Sequence, residues 1–261
     1  TSILGNSLGE IAAEKAGIIK RGVPAVIAPQ PQEAREAIEA RAKQQDVDLV
    51  EVERDYAYER TSFDLSGQSL RVWPKHTAEK AIELRIKLLG EHQIQNAVTA
   101  FATLKAFAQQ GLVVDDEAIR AGFAAAEWPG RFEVWEGNQV IVLDSAHTPD
   151  AAGALRRTLD EHFPGEGIVL VLGISSDKNL GALMEPLRER LIAAVATQSS
   201  HARALPAKTL AKRLDQIGIE CQSQPDPVKA LQTARKLAGE AKLVLITGSV
   251  FLVDQLREET T

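Results

Sequence analysis

Apolar residues along this chain first keep a helical period, then alternate, then return as short solid runs set between helices. Leu4, Leu8, Ile11 and Ala12 fall at helical spacing, so residues 3–20 are predicted as a helix rich in small and acidic residues, ending near Gly17 and Gly22. Residues 23–28 form a short apolar run beside prolines and fit a buried strand. Residues 32–45, dense in Ala, Glu, Arg and Lys, are predicted helical. From Leu49 to Leu89 the pattern alternates: Val50 with Val52, Phe63 with Leu65, Leu70 with Val72, and Ile82 through Leu84 and Ile86 to Leu88. Alternation marks half-buried strands, and Ser66-Gly67 between two of the runs predicts a hairpin turn. Two further helices are expected over residues 96–109 and 116–126.

Trp128-Pro129-Gly130 interrupts this pattern, and the domain boundary is placed there, giving units 1–128 and 129–261. Residues 132–135 and 140–143, joined through Gly137-Asn138, form a second hairpin candidate. Beyond it the chain alternates regularly. Helices are expected over 149–162, 180–191, 207–217 and 227–237, strands over 168–172, 192–197 and 242–247, and a last helix from Val250. Short apolar strands separated by helices of this length are what a parallel, doubly wound sheet requires.

The 261 residues suffice for one large domain or two ordinary ones. With 44% hydrophobic and 25% charged residues the chain reads as globular and soluble, and no apolar stretch is long enough for a bilayer. The net charge of −6, with acids and bases interspersed, argues against a nucleic-acid partner. A single cysteine, Cys221, excludes an intramolecular disulfide framework and a cysteine-cluster zinc site, and fits a reducing, cytoplasmic setting. The first twenty residues lack a charged n-region, an apolar h-region and an initiating methionine, so a fragment or isolated domain is expected rather than a signal peptide.

The segment richest in chemistry is Val140-Ile-Val-Leu-Asp-Ser-Ala-His-Thr-Pro-Asp150. A buried strand there delivers Asp144 and His147 to its carboxyl end, and Pro149 opens a helix directly after. Ligands of open α/β sheets bind at that edge. An acid and an imidazole three residues apart can meet a ribose, a phosphate or a metal-linked water. The plainer alternative is that Asp144 ends the strand while His147 or Thr148 caps the helix.

Asp144-Ser-Ala-His147-Thr-Pro resembles the Asp-Gly-Ala-His-Asn-Pro signature of folylpolyglutamate and dihydrofolate synthases, in the Mur ligase superfamily. Other segments resemble that family in the same order. Leu4-Gly5 through Ile11-Ala12 and Glu14-Lys15-Ala16-Gly17-Ile18-Ile19-Lys20 are similar to its central-domain helix. Gly90-Glu91-His92-Gln93 with Asn96-Ala97 resembles its Gly-x-His-Gln-x-x-Asn-Ala element, and Pro129-Gly130-Arg131-Phe132-Glu133 its Pro-Gly-Arg-x-Glu stretch. Ser176-Asp177-Lys178 and Thr247-Gly248-Ser249 resemble two later loops.

The resemblance implies an α/β chain: the remainder of a P-loop-type central ATPase domain, then a Rossmann-like Mur ligase C-terminal domain. It implies an ATP-dependent ligase using Mg2+, with L-glutamate and a folate or dihydropteroate as substrates, acting as a monomer at full length. Lys15, locally an ordinary surface lysine, is implied to be carbamylated and to help hold Mg2+, since a carbamate suits a hard cation. Arg131 is implied to reach the nucleotide phosphates, Asp144 the ribose hydroxyls, and His147 the phosphate chain or reacting centre. Gln93 and Asn96 are implied to lie near the adenine. Ser145 and Thr148 stand where the family usually has glycine and asparagine, and Asn179 where it has an acid after the lysine.

No Gly-x-x-x-x-Gly-Lys-Ser/Thr loop is present in the sequence, which the resemblance would place upstream of Thr1. This chain by itself is therefore expected to lack half of an ATP site and to be inactive. Two rival readings stand beside this one: a Mur-type ligase acting on another substrate, and a non-catalytic nucleotide-binding relative.

Overall fold

The computed structural model describes residues 5, 7–112, 114–239 and 242–258. They fall into two compact units: described residues up to 126, save 88–91, form the first, and residues 88–91 with those from 127 onward form the second. No helix among the described residues is long and apolar enough to cross a membrane.

In the first unit the opening helix, α1 (Leu8–Ala16), is shorter than predicted, and Leu4 lies outside the described residues. Ser7 starts it with a capping box: Glu10 N donates to Ser7 Oγ at 3.1 Å and Ser7 N to Glu10 Oε2 at 3.3 Å. Its buried positions are Ala12 and Ala16, whereas Leu8 faces solvent. Two short strands, β1 (Ala25–Ile27) and β2 (Leu49–Glu51), pair in parallel, and between them α2 (Gln32–Gln44) packs on α1.

An antiparallel sheet follows in the order β3 (Tyr56–Asp64), β4 (Gly67–Pro74), β5 (Ile82–Ile86). Its hairpin turn is Leu65-Ser66, one position earlier than predicted, because Asp64 pairs with Gly67 while its Oδ1 accepts from Ser66 N at 2.7 Å. Helix α3 (Glu91–Gln109) begins ahead of the predicted position 96, its polar first turn carrying no apolar period. Helix α4 (Asp116–Ala125) is capped by Asp115, whose Oδ1 accepts from Ala118 N at 2.7 Å.

The second unit is a six-stranded sheet. Its strands are β6 (Glu133–Trp135), β7 (Ile141–Leu143), β8 (Ile168–Leu172), β9 (Leu191–Ala196), β10 (Cys221–Ser223) and β11 (Leu243–Thr247), in the order β10-β9-β8-β11-β7-β6. All neighbours run parallel except the β6–β7 hairpin. Apolar side chains alternate between two buried faces, as a covered parallel sheet demands. Val142, Leu170 and Leu245 point to one core, with α5 (Pro149–His162) and α7 (Ala207–Gln216). Ile141, Leu143, Val171 and Ile246 point to the other, with α8 (Pro227–Ala238) and α9 (Val250–Glu258).

Two elements differ from expectation. Residues 180–191 are not one helix: α6 (Leu180–Met184) stops before Pro186, which has no N–H to continue the ladder, and a 3-10 turn over Arg188–Arg190 leads into β9. Strand β10 was not expected, because Cys221-Gln222-Ser223 is a polar run on the sheet edge with no apolar signal.

Candidate functional site

Adjacent strands β7 and β11 send their following helices, α5 and α9, to opposite faces of the sheet. A crevice opens outside the carboxyl ends of strands at such a reversal, and ligands of open α/β sheets settle there. The Asp144–His147 turn occupies this position. Asp144 N donates to Ile246 O at 3.0 Å, continuing the β7–β11 ladder by one residue. Gly248 N and Thr247 Oγ1 both donate to Ala146 O, at 3.0 and 3.2 Å, and tie the turn to the end of β11.

The turn before β6 comes to the same place. Ser145 donates twice to Gly130 O, from its N at 3.0 Å and from its Oγ at 2.9 Å. The guanidinium of Arg131 donates to Ser145 Oγ. Phe132 N donates to Asp144 Oδ2 at 2.9 Å, and Ala146 N to Asp144 Oδ1 at 2.8 Å. Phe132 holds a left-handed φ of 46°, unusual for a bulky residue, and Gly130 one of 69°. Strain of this kind persists only where neighbours over-determine it, and the Asp144 carboxylate and Ser145 supply that restraint. Arg131 is thereby presented from a clamped backbone.

His147 is half-buried, and its Nδ1 meets Ser145 O at 2.9 Å. A carbonyl can only accept, so Nδ1 carries the proton in that bond and Nε2 is the acceptor of the neutral ring. The capping role open to His147 or Thr148 goes to Thr148, whose Oγ1 accepts from Ala151 N at 3.3 Å ahead of Pro149. The imidazole is left available for other chemistry. An acid, an imidazole and a guanidinium at one sheet edge can hold a hydroxyl-bearing, anionic ligand.

Burial pushes the Asp144 carboxyl up from 3.8 to about 6, although the Phe132 and Ala146 N–H groups, Arg131 and His147 all favour its ionised form. A raised value favours the protonated acid in the folded chain. Stability tied to Asp144 is therefore fully present below pH 3.8 and is lost as pH rises through about 6. Compared with Asp144→Asn, the native chain is expected to lose about 3 kcal/mol of unfolding free energy between pH 4 and pH 7. Urea unfolding of both proteins across that range, with carboxyl NMR of Asp144, checks this. An Asp144 midpoint near 4 would show that its hydrogen bonds outweigh its burial.

The other residues singled out by sequence have different surroundings. Lys15 is exposed in the last turn of α1, where a cation suits the helix carboxyl end. The described residues around it do not supply the enclosure that carbamylation would use. Among the described residues, no group of three or more His, Cys, Asp or Glu could hold a metal ion. Gln93 is buried on α3, and its Oε1 accepts from the Nδ2 of exposed Asn96 at 3.0 Å. Lys15, Gln93 and Asn96 all belong to the first unit; Arg131, Asp144 and His147 belong to the second.

Lys178 follows β8, its Nζ 3.8 Å from Asp177 Oδ2, and Asn179 caps α6 by accepting from Ala182 N at 3.2 Å. The departure from an acid at 179 thus has a local structural use. Ser249 supplies the carbonyl that starts the α9 ladder, to Val253 N at 3.1 Å. Sequence reasoning treated Ser145 only as a departure from glycine and gave Glu133 no role. Ser145 is the hydroxyl joining Arg131 to Gly130 O, and Glu133 accepts from Gly130 N at 2.9 Å. The signal available for Glu133 was its place in Pro129-Gly130-Arg131-Phe132-Glu133.

The doubly wound sheet and its pair of turns lie within residues 130–250, which match the Mur ligase glutamate ligase domain. The dihydrofolate synthase/folylpolyglutamate synthase of Mycobacterium tuberculosis is 34% identical over 216 residues, which cover 80% of this chain and 44% of that protein. Its counterpart in Bacillus subtilis is 29% identical over 98% of this chain and 59% of its own length. Among solved structures, M. tuberculosis folylpolyglutamate synthase complexed with ADP and AMPPCP superposes with a TM-score of 0.86 at 30% identity, covering 98% of this chain and 60% of that one. Escherichia coli FolC in complex with DHPP and ADP gives 0.83 at 27% identity, covering 99% and 58%. Residues 130–250 thus carry a Mur ligase glutamate ligase domain, and over nearly its whole length the chain is similar to folylpolyglutamate and dihydrofolate synthases. It spans from about a third to little more than half of the length of the curated relatives it matches over nearly all of its own length.

Proposed function

We propose that this protein, at its natural length, is an ATP-dependent ligase that joins L-glutamate to a folate. The reaction is polyglutamylation of tetrahydrofolate, conversion of dihydropteroate to dihydrofolate, or both. The observation that carries the reading is the clamped Arg131–Ser145 and Asp144–His147 pair of turns at the sheet edge of a chain related to such synthases.

A carboxylate oxygen of the folate substrate attacks the γ-phosphorus of ATP, and ADP leaves. The acyl phosphate so formed is attacked at its carbon by the amino group of glutamate, and the tetrahedral intermediate expels phosphate. Such chemistry asks the protein for positioning and charge neutralisation more than for covalent participation. In this reading Arg131 neutralises nucleotide phosphate charge, for which a planar and permanently charged fork is suited. Asp144 accepts from the ribose hydroxyls, and His147 stands near the phosphate chain or the acyl centre. Gln93 and Asn96 approach the adenine. Mg2+ is proposed as the companion of ATP, with carbamylated Lys15 as one prospective ligand. The enzyme is taken to act as a monomer in the cytoplasm.

The test is release of phosphate dependent on both ATP and glutamate, with dihydropteroate or tetrahydrofolate as acceptor, from the protein at its natural length. Product with either acceptor, lost in His147→Ala, supports the proposal. ATP binding without turnover on either acceptor would refute it, in favour of another Mur-type ligase or a non-catalytic relative.

A further inference from the structure

Arg131 is held from the inside by Asp144 and Ser145, but its turn has a second, outer clamp. Glu133, the first residue of β6, folds back so that its Oε2 accepts from Gly130 N at 2.9 Å. Its Oε1 accepts from the Trp135 indole at 3.0 Å. The Nε of Arg257, from the far end of α9, donates to both carboxylate oxygens at 2.9 Å. Donors from the turn, from β6 and from α9 thus converge on one carboxylate. Burial works to raise its pKa, yet Gly130 N–H, Arg257 and Trp135 together hold it below the ordinary range. Backbone N–H groups on either side of Arg131, at Gly130 and Phe132, are therefore each taken by a carboxylate, Glu133 and Asp144.

We infer that Glu133 and Arg257 form a positioning pair that aims Arg131, so that the last helix of the chain helps to set the geometry of the phosphate-facing site. Neither residue needs to touch the ligand. The pair acts through Gly130, the residue before Arg131: Glu133 holds its N–H and Ser145 holds its carbonyl from the other direction. A guanidinium that must meet phosphate in a fixed plane loses most when its backbone rocks, because small misplacements are amplified in positioned reactions. The Glu133 oxygens are already fully engaged, which fits a brace rather than a ligand contact. The functional part of this inference rests on the reading that Arg131 meets the nucleotide.

Two measurements test it. In the first, the Arg131 Nε–Hε signal is followed by NMR on the present chain. Glu133→Ala and Arg257→Ala are each expected to shift or broaden it, and an unchanged signal in both would overturn the brace. Should Glu133→Ala fail to fold, Arg257→Ala alone decides, and an unchanged signal there overturns the brace.

In the second, ATP kinetics of the natural-length protein are compared in native and Arg131→Ala backgrounds. Either brace variant is expected to raise KM for ATP about tenfold in the native background. Neither should change it further once Arg131 is gone. Equal effects in both backgrounds would reduce the pair to general structural support and overturn the inference. If Arg131→Ala itself leaves ATP kinetics unchanged, the nucleotide reading fails and aiming of a phosphate contact falls with it. The NMR result then decides the brace by itself.

Discussion

Gly248→Ala is expected to destabilise the second unit by about 3 to 5 kcal/mol, enough to leave much of the chain unfolded at moderate temperature. Gly248 stands just past β11 with a φ of +99°, where a side chain is strained before any contact is considered. A Cβ there would lie 2.6 Å from Gly173 O, 2.7 Å from Leu172 Cδ1 and 2.9 Å from Ile174 Cγ2. The first of these is backbone, at the end of a strand buried on both faces, and has nowhere to move. Gly173 N is also bonded to Thr247 O at 3.4 Å, so separating the two loops loosens the sheet edge that carries Ala146. Gly137→Ala is the control, since a Cβ there meets nothing within 4 Å and the change should stay within about 0.5 kcal/mol. Urea unfolding of both variants decides it. A cost below about 1 kcal/mol for Gly248→Ala would mean that the two loops separate freely.

The second large effect is on activity and leaves the fold standing. Arg131→Ala is expected to lower kcat/KM for ATP by about 100-fold to 1,000-fold in the natural-length protein, as loss of a positioned charge on a transferring phosphoryl group does. Its stability should change by less than about 1 kcal/mol, because Arg131 is only half-buried and its partner keeps another bond. Ser145 Oγ still donates to Gly130 O when the guanidinium is removed. Asp144→Ala is the contrasting change: it strands the N–H groups of Phe132 and Ala146 and should damage fold and activity together. Kinetics and thermal melts on the two variants separate these cases. Full activity in Arg131→Ala would remove the guanidinium from the phosphate site.

Much of the candidate site was legible in local pattern. Val140 to Asp150 announced a strand, a turn with an acid and an imidazole, and a helix opened by proline, and β7, Asp144, His147 and α5 occupy those places. Gly130 and Arg131 were legible as a turn beside a cation, and resemblance placed them in the same site. The environment of Asp144 was not legible, because exposure depends on what packs over a residue. Local pattern did read Lys15 as a surface lysine on an Ala/Glu-rich helix, and its side chain is exposed; only the resemblance gave it a metal role.

The division follows the range of the forces concerned. Backbone period, proline and capping groups act within a few residues, so the sequence alone determined β8 and α5 to the residue and explains why α6 ends before Pro186. It determined that the sheet is parallel beyond its first hairpin and covered on both faces, because solid apolar strands between helices are satisfied by that packing. Strand order was decided only in three dimensions. Strand β11 lies between β7 and β8, although β9, β10 and three helices intervene in the chain. That order, invisible to any local pattern, brings Gly248 against Ala146 and puts Asp144 where the strands' following helices change faces. Polar β10 became a strand only because β9 offered it an edge. Glu133 and Arg257 meet across 124 residues because α9 returns to the start of the unit. Periodicity records which side of an element avoids water, but the neighbour that covers that side is chosen by the packing of the whole unit.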